Sequence, residues 1–203
     1  LARSLGYTYV DTGAMYRGVT LYALREGLFS GDEPKVEAIT RRLPEIELRF
    51  AIHPDGQHLL LNGEDVEREI RGMEVSEHVS PVATIPEVRS ALTRQQQAMA
   101  RGKGVVMDGR DVGTTILPDA ELKIFVTARP EVRARRRFDE LTAKGEEVTY
   151  DSVLANVRER DRIDSGRTVS PLRQAEDALV LDNSDMTLDQ QQTWVEERVR
   201  ERL

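Results

Sequence analysis

Tyr7-Thr8-Tyr9-Val10-Asp11-Thr12-Gly13 decides the fold. Its first four residues are a short β-like run that stops at the polar Asp-Thr-Gly. Helical spacing takes over at once, with Met15, Val19, Tyr22 and Ala23 at three- and four-residue steps and Gly27 as the stop. The same hand-over recurs along the chain. Val105-Val106-Met107 ends at Asp108-Gly109-Arg110-Asp111, and Leu122 to Thr127 leads into a long helix opened by Pro130 and ending near Lys144-Gly145. Ala178 to Leu181 precedes a helix capped by Thr187 and Gln190 that is predicted to run to Leu203. This alternation predicts an α/β fold, a mainly parallel sheet flanked by helices and joined by right-handed crossovers.

One stretch interrupts the alternation. Ser30 and Glu33 have capping-box spacing and predict a short helix to Leu43, closed by Pro44. Ile46, Leu48, Phe50 and Ile52 then alternate with Glu45, Glu47, Arg49 and Ala51, the pattern of a half-buried strand. Pro54-Asp55-Gly56 is a turn, Gln57 to Leu61 a second strand, and Asn62-Gly63 a hairpin signal into a third around Asp65-Val66. The result is a small antiparallel insert. Arg71 to Arg101 reads as mostly helical, interrupted near Pro81 and restarted at Pro86, and Asp151 to about Arg162 is a further helix.

Composition narrows the function. The 203 residues carry 29 Lys+Arg against 36 Asp+Glu, a net charge of −7, with 39% hydrophobic and 32% charged residues. That is a globular balance, and no apolar run approaches the roughly 20 residues needed to span a bilayer. With no cysteine, thiolate metal sites, disulfides and thiol catalysis are excluded, and a reducing, cytoplasmic setting is expected. Net acidity argues against a nucleic-acid coat, so any anionic ligand must be held by local arginines.

In an open parallel sheet, ligands bind beyond the carboxyl ends of the strands. The polar clusters fall there. Asp108, where an apolar strand meets its loop, is placed to hold Mg²⁺ through water, or else to cap the loop. Arg110 and Asp111 either pair with each other or divide the work of clamping a phosphate and accepting from a base amine. Arg133, Arg135, Arg136 and Arg137, with the run Arg158 to Arg167, have few acids to balance them nearby and suit a lid that neutralises a triphosphate. The three histidines, His53, His58 and His78, show no metal-ligand spacing; the first two read as surface residues of the hairpin. Trp194 and the methionines read as packing residues.

Asp11-Thr12-Gly13-Ala14-Met15-Tyr16-Arg17, the hairpin insert, Gly109-Arg110-Asp111-Val112-Gly113-Thr114, Pro118-Asp119-Ala120 and Arg160-Asp161-Arg162-Ile163-Asp164 closely resemble bacterial cytidylate kinases, in matching order across essentially the whole chain. The resemblance implies a P-loop-type nucleoside monophosphate kinase fold. Its core would be residues 1–34, 84–130 and 168–203, its monophosphate-binding insert 35–83 and its lid 131–167. The implied reaction transfers the γ-phosphoryl group of ATP to CMP or dCMP with Mg²⁺, in a cytoplasmic monomer that binds no nucleic acid and no membrane. By resemblance, Thr12, Tyr16, Arg17, Ser80, Arg89, Arg110, Asp111, Arg160, Asp164 and Arg167 bind the acceptor nucleotide, with Arg17 on its phosphate. Arg110, Arg160 and Asp108 serve catalysis, and Arg136 and Arg137 meet the ATP phosphates from the lid.

The chemistry of the base fits the same residues. Cytosine offers an N4 amine donor with N3 and O2 acceptors, so its site needs a carboxylate and a guanidinium or hydroxyl donor; Asp111, Arg89 and Ser80 supply them. Uracil would set a carbonyl against Asp111. No general base is required, because phosphoryl transfer rests on positioning and charge neutralisation.

One departure is expected to matter. No segment matches G-x-x-x-x-G-K-[ST]; Gly102-Lys103-Gly104 lacks both the spacing and the setting. Leu1 to Gly6 reads as the last turns of a helix, so the donor-phosphate loop is expected just before Leu1. The 203 residues by themselves are then expected to be silent in phosphoryl transfer. The alternatives are a short form that binds CMP without catalysis, or a related kinase with another acceptor.

Overall fold

The computed structural model describes residues 1–202 and divides into two compact units, Ala2–Val112 and Gly113–Leu203.

In the first unit a helical turn α1 (Ala2–Leu5) leads to β1 (Thr8–Asp11) and the helix α2 (Thr12–Arg25). A tight hairpin of β2 (Phe29–Ser30) and β3 (Glu33–Pro34) follows, then α3 (Val36–Arg42) and a 3₁₀ turn at Leu43–Glu45. The capping box expected at Ser30 is overturned here. Ser30 and Glu33 are register partners in the hairpin, closed by Gly31 at φ +60°, and the helix starts six residues later without a side-chain cap. The local turn chemistry of Gly31-Asp32 outcompetes the helix signal.

The insert forms as its alternation predicts. β4 (Leu48–His53), β5 (Gly56–Leu61) and β6 (Glu64–Asp65) make one antiparallel sheet in the order β4-β5-β6. Its inward residues Leu48, Leu59 and Leu61 join Met15, Val19 and Ile39 in one buried cluster with Val66, Ile70 and Leu92. The contact is close. A Cβ on Gly18 of α2 would lie 2.7 Å from Leu48 Cδ2 and 2.8 Å from Leu59 Cδ2, so the helix seats on the sheet only because that position has no side chain.

α4 (Glu67–Ile70), α5 (Met73–Val82) and α6 (Pro86–Ala100) fill the stretch read as mostly helical. Pro81 sits inside the last turn of α5 instead of ending it. The next break comes at Ala83, and Pro86 opens α6 as expected. β7 (Val105–Asp108) then pairs in parallel with β1, aligning Val10 with Met107 and Asp11 with Asp108. The two strands therefore end side by side on two aspartates.

A π-type turn at Val112–Ile116 was not anticipated from the sequence. In the second unit β8 (Ile124–Thr127) is followed by α7 (Pro130–Ala143), α8 (Tyr150–Gly166), β9 (Leu179–Asp182) and α9 (Leu188–Arg200). β8 and β9 pair in parallel, again with a helix in the crossover. Thr149 caps α8 and Thr187 caps α9, each with a reciprocal bond from the third residue of its helix. α8 runs four residues past its expected end at Arg162, because nothing before Gly166 breaks it. α9 ends at Arg200, and Leu203, to which it was predicted to run, lies outside the described residues. The architecture is α/β, with parallel strands flanked by helices and small antiparallel sheets.

Candidate functional site

In the first unit Thr12 and Asp108 meet at the ends of β1 and β7, and Arg89 links Asp111 to Tyr16. Asp11 caps α2 by accepting a 2.8 Å bond from the Ala14 amide, and its other oxygen accepts from Arg71 Nη2 at 2.7 Å. Thr12, buried at the first helical position, donates from Oγ1 to the Asp108 carbonyl at 2.7 Å. That bond ties the start of α2 to the loop after β7. Gly109 makes the approach possible, since a Cβ there would overlap Thr12 Oγ1.

Asp108 reaches solvent and accepts a 3.0 Å bond from the Tyr9 hydroxyl. Desolvation by its surroundings, then the like charge of Asp11, push its carboxyl above the usual range, against the Tyr9 bond and the charge of Arg110. The Tyr9 phenol is driven up in turn, first by burial and then by Asp108. Such a carboxylate has a standing electrostatic use for a cation. As a hard oxygen donor at a strand end it fits Mg²⁺, which binds through one or two carboxylates plus substrate phosphates.

Asp111 lies one turn of loop further on. One partner of its carboxylate lies across the fold. Arg89, from α6, donates to Asp111 Oδ2 through Nη2 and to the Ala83 carbonyl at 3.1 Å through Nη1. Both side chains are less than 5% exposed. The Arg89 guanidinium lies 5.3 Å from the centre of the Tyr16 ring, which is itself buried. Its Nε–H is buried with no hydrogen-bond partner. Ser80 is buried on α5.

Arg17 is held by α4 and α5. Its Nη1 donates at 2.9 Å both to the Ile70 carbonyl and to Ser76 Oγ, and Ser76 donates back to Gly72 at 2.8 Å. Ser76, one helical turn before Ser80, escaped the sequence reading. A hydroxyl four residues from another on one helix face was the only signal for it. Tyr9, Asp11 and Gly109 were likewise not singled out as site residues, although they lie inside the quoted motifs.

The second unit carries the other arginines. Asp164 and Arg167 are buried together at 3.3 Å, and the Asp164 carbonyl accepts from the Leu172 amide at 2.8 Å. Arg136 donates to the side chain and backbone of Asn183 at 2.9 and 2.7 Å, and Arg137 to Glu140 at 2.9 Å. Arg160 lies on α8 between them in sequence and Asp164 one turn on. The expectation of few balancing acids is overturned. Arg133 makes two bonds to Asp161, Arg158 pairs with Glu131, and Arg162 with Glu159. Arg162 and Glu159 lie one turn apart on α8, whereas the other two pairs join α7 to α8.

Residues 1–201 match the family model described as Cytidylate kinase. A cytidylate kinase of Porphyromonas gingivalis is 58% identical over 204 residues, covering 99% of this chain and 88% of that protein. One of Parabacteroides distasonis is 56% identical, covering 98% and 87% respectively. One of Flavobacterium johnsoniae is 50% identical, covering 99% and 88%.

Proposed function

From the premise that the chain belongs to the cytidylate kinase family, we propose that it transfers the γ-phosphoryl group of ATP to CMP or dCMP, giving CDP or dCDP. The observation that carries this reading is the buried Arg89–Asp111 pair with its unspent Nε–H. A buried donor without a partner costs about 1–3 kcal/mol, and a ligand that accepts from it recovers that cost. Cytosine does so through N3 or O2, while its N4 amine donates to the Asp111 carboxylate. Ser80 adds a hydroxyl, and Tyr16 a ring face for the same region.

Arg17 is assigned to the acceptor phosphate. Its two protein bonds fix the guanidinium plane, and such preorganisation is what lets arginine take a phosphate in two parallel bonds. Arg110 provides charge against the phosphates at the loop after β7. Asp108 would hold Mg²⁺ through water, and the ion, when bound, offsets negative charge on the donor phosphates. In the second unit Arg160, Asp164 and Arg167 are assigned to phosphate and ribose, and Arg136 and Arg137 to the ATP phosphates. Positioning and charge neutralisation then carry the reaction, and no side chain acts as base. By family resemblance we assign a core (1–34, 84–130, 168–203), a monophosphate insert (35–83), a lid (131–167) and a monomeric state, and from the absence of cysteine a cytoplasmic setting.

The test is calorimetric binding of CMP, dCMP, UMP and AMP, with ADP release measured for each acceptor on a form that also carries the expected donor-phosphate loop. CMP and dCMP are expected to bind and to lead the series. AMP binding as tightly as CMP, or no loss of CMP binding in Arg89→Ala, would overturn the reading.

A further inference from the structure

The insert brings together a group of side chains that the kinase reaction does not use. In the β4–β5 register His53 faces Gly56 and Ala51 faces His58. Residues two apart in a strand share a face, so His53 and His58 are diagonal neighbours on one side of the hairpin. Their imidazoles stack, with centroids 4.3 Å apart and planes 10° from parallel. Asp55, in the turn, places Oδ1 at 3.2 Å from His58 Nε2. The candidate ligand atoms of His53, Asp55 and His58 all lie within 4.8 Å of one another.

We propose that this hairpin tip binds one divalent transition-metal ion of the zinc, nickel or copper class through His53, Asp55 and His58. Two imidazoles and one carboxylate favour such borderline ions over Mg²⁺ or Ca²⁺, which prefer all-oxygen shells. Asp65 supplies the outer partner. Its Oδ2 lies 2.7 Å from His58 Nδ1, so in the neutral ring the proton belongs on Nδ1 and the Nε2 lone pair is open to a metal, which must displace the proton that Asp65 and Asp55 favour there. A carboxylate behind a ligating histidine fixes ring and tautomer in many metal sites. Ligands about 2.1 Å from a tetrahedral ion are about 3.4 Å apart, close to the Asp55–His58 separation. The widest gap in the group must close by roughly 1.4 Å to reach that spacing. Side-chain rotation at the tip supplies it, since Asp55 is exposed and both histidines are partly so. Ring planes 10° from parallel hold the two in-plane lone pairs side by side, so one imidazole must also turn for both to meet a single ion.

The sequence reads both as surface residues of the hairpin. The antiparallel register, not the sequence interval, makes them adjacent.

The experiment titrates the untagged full chain with Zn²⁺ against a chromophoric chelator, and with Co²⁺ by visible absorption. The chain has no cysteine, so a Co²⁺ spectrum from this site must be of nitrogen and oxygen type. One equivalent of Zn²⁺ is expected to bind in the micromolar range. Asp65→Asn is expected to weaken it about 10–100-fold. The His53→Ala/His58→Ala double variant should abolish binding, and His78→Ala should leave it unchanged. NMR of the unaltered protein reads the same site without substitution. Zn²⁺ should shift the ring protons of His53 and His58 and spare those of His78. Zn²⁺ affinity unchanged in the double variant, equal shifts at all three rings, or no binding at all would each overturn the proposal.

Discussion

Arg89 and Asp111 form a salt bridge buried on both sides, with Nη2 of the arginine donating to Oδ2 of the aspartate. Taking two charges out of water is costly, and replacing such a pair by apolar groups is often neutral or stabilising. The pair is therefore weak as a stabilising device and strong as a preformed recognition element. Asp111→Asn keeps the size of the side chain and converts one acceptor into a donor. The preference for CMP over UMP, read as a ratio of kcat/KM values, is expected to fall by 1–3 kcal/mol, or about 5- to 150-fold. An unchanged ratio would remove Asp111 from base recognition. Asp111→Ala should in addition lower the Tm, since it strands a buried guanidinium, at about 3–5 kcal/mol.

Arg17 is gripped by Ser76 and by the Ile70 carbonyl at 2.9 Å each. Arg17→Lys retains the charge but loses the planar fork, so it is not a conservative change at a bidentate site. The expected result is a drop of about tenfold or more in kcat/KM for CMP, about 1.4 kcal/mol. Ser76→Ala should produce a smaller effect in the same direction by loosening the guanidinium, with unchanged use of ATP at saturating CMP. Steady-state kinetics with CMP as the varied substrate checks both.

The strands and most helices were legible because their periodicity is local. Val105 to Asp108 and Leu179 to Asp182 form within a residue or two of the stretches read from sequence. Asp108 was legible as the last residue of its strand, because the apolar run before it stops there. What failed was anything decided by pairing across the fold. Ser30 and Glu33 have the interval of a capping box, yet Gly31 and Asp32 turn the chain back first. Asp111 has Arg110 beside it but bonds Arg89, which lies 22 positions away on a helix. Arg133 and Arg158 look unbalanced in sequence, and find Asp161 and Glu131 only when α7 and α8 lie together.

The strand ends at Asp11 and Asp108 give a pH signature. Because Asp108 titrates above the usual carboxylate range, first by desolvation and then by Asp11, its protonated form is the one the fold prefers. The stabilising contribution is complete below the unfolded carboxyl pKa and is lost as pH rises through the folded value. At neutral pH the ionised group works against the fold. Asp108→Asn is therefore expected to raise the Tm at pH 7 while reducing turnover, and the difference in Tm should vanish as pH is lowered through the range where Asp108 protonates. A Tm difference independent of pH would show that the carboxyl charge is not its source.

Gly18→Ala tests how the insert is attached to α2. The new methyl would lie 2.7 and 2.8 Å from methyl carbons of Leu48 and Leu59, both fully packed in the main buried cluster. Overpacking of this kind costs about 1–3 kcal/mol, even though alanine is the better helix former. Chemical denaturation should show a lower midpoint with an unchanged slope. A stabilised variant would mean that the two leucines can move aside freely.

Arg133 and Asp161 bind α7 to α8 through two parallel bonds of 2.8 and 2.6 Å, and both side chains are a little over a third exposed. The Arg135 guanidinium, two residues further along α7, lies 4.6 Å from the centre of the Tyr150 ring at the start of α8. With the Arg158–Glu131 pair, these contacts hold α7 against α8 at several points. Exposure limits the energy of the ion pair to about 0.2–1 kcal/mol, so global stability is a poor reporter. Local opening is a better one, because amide exchange reads sub-global unfolding directly. Arg133→Ala should speed exchange in the middle of α8 while leaving α2 and α6 unaffected. Arg133→Ala combined with Asp161→Ala should do no more than either change alone, since the two residues share one interaction. Additive acceleration in the double variant would mean that each side chain holds the helix pair through a separate contact.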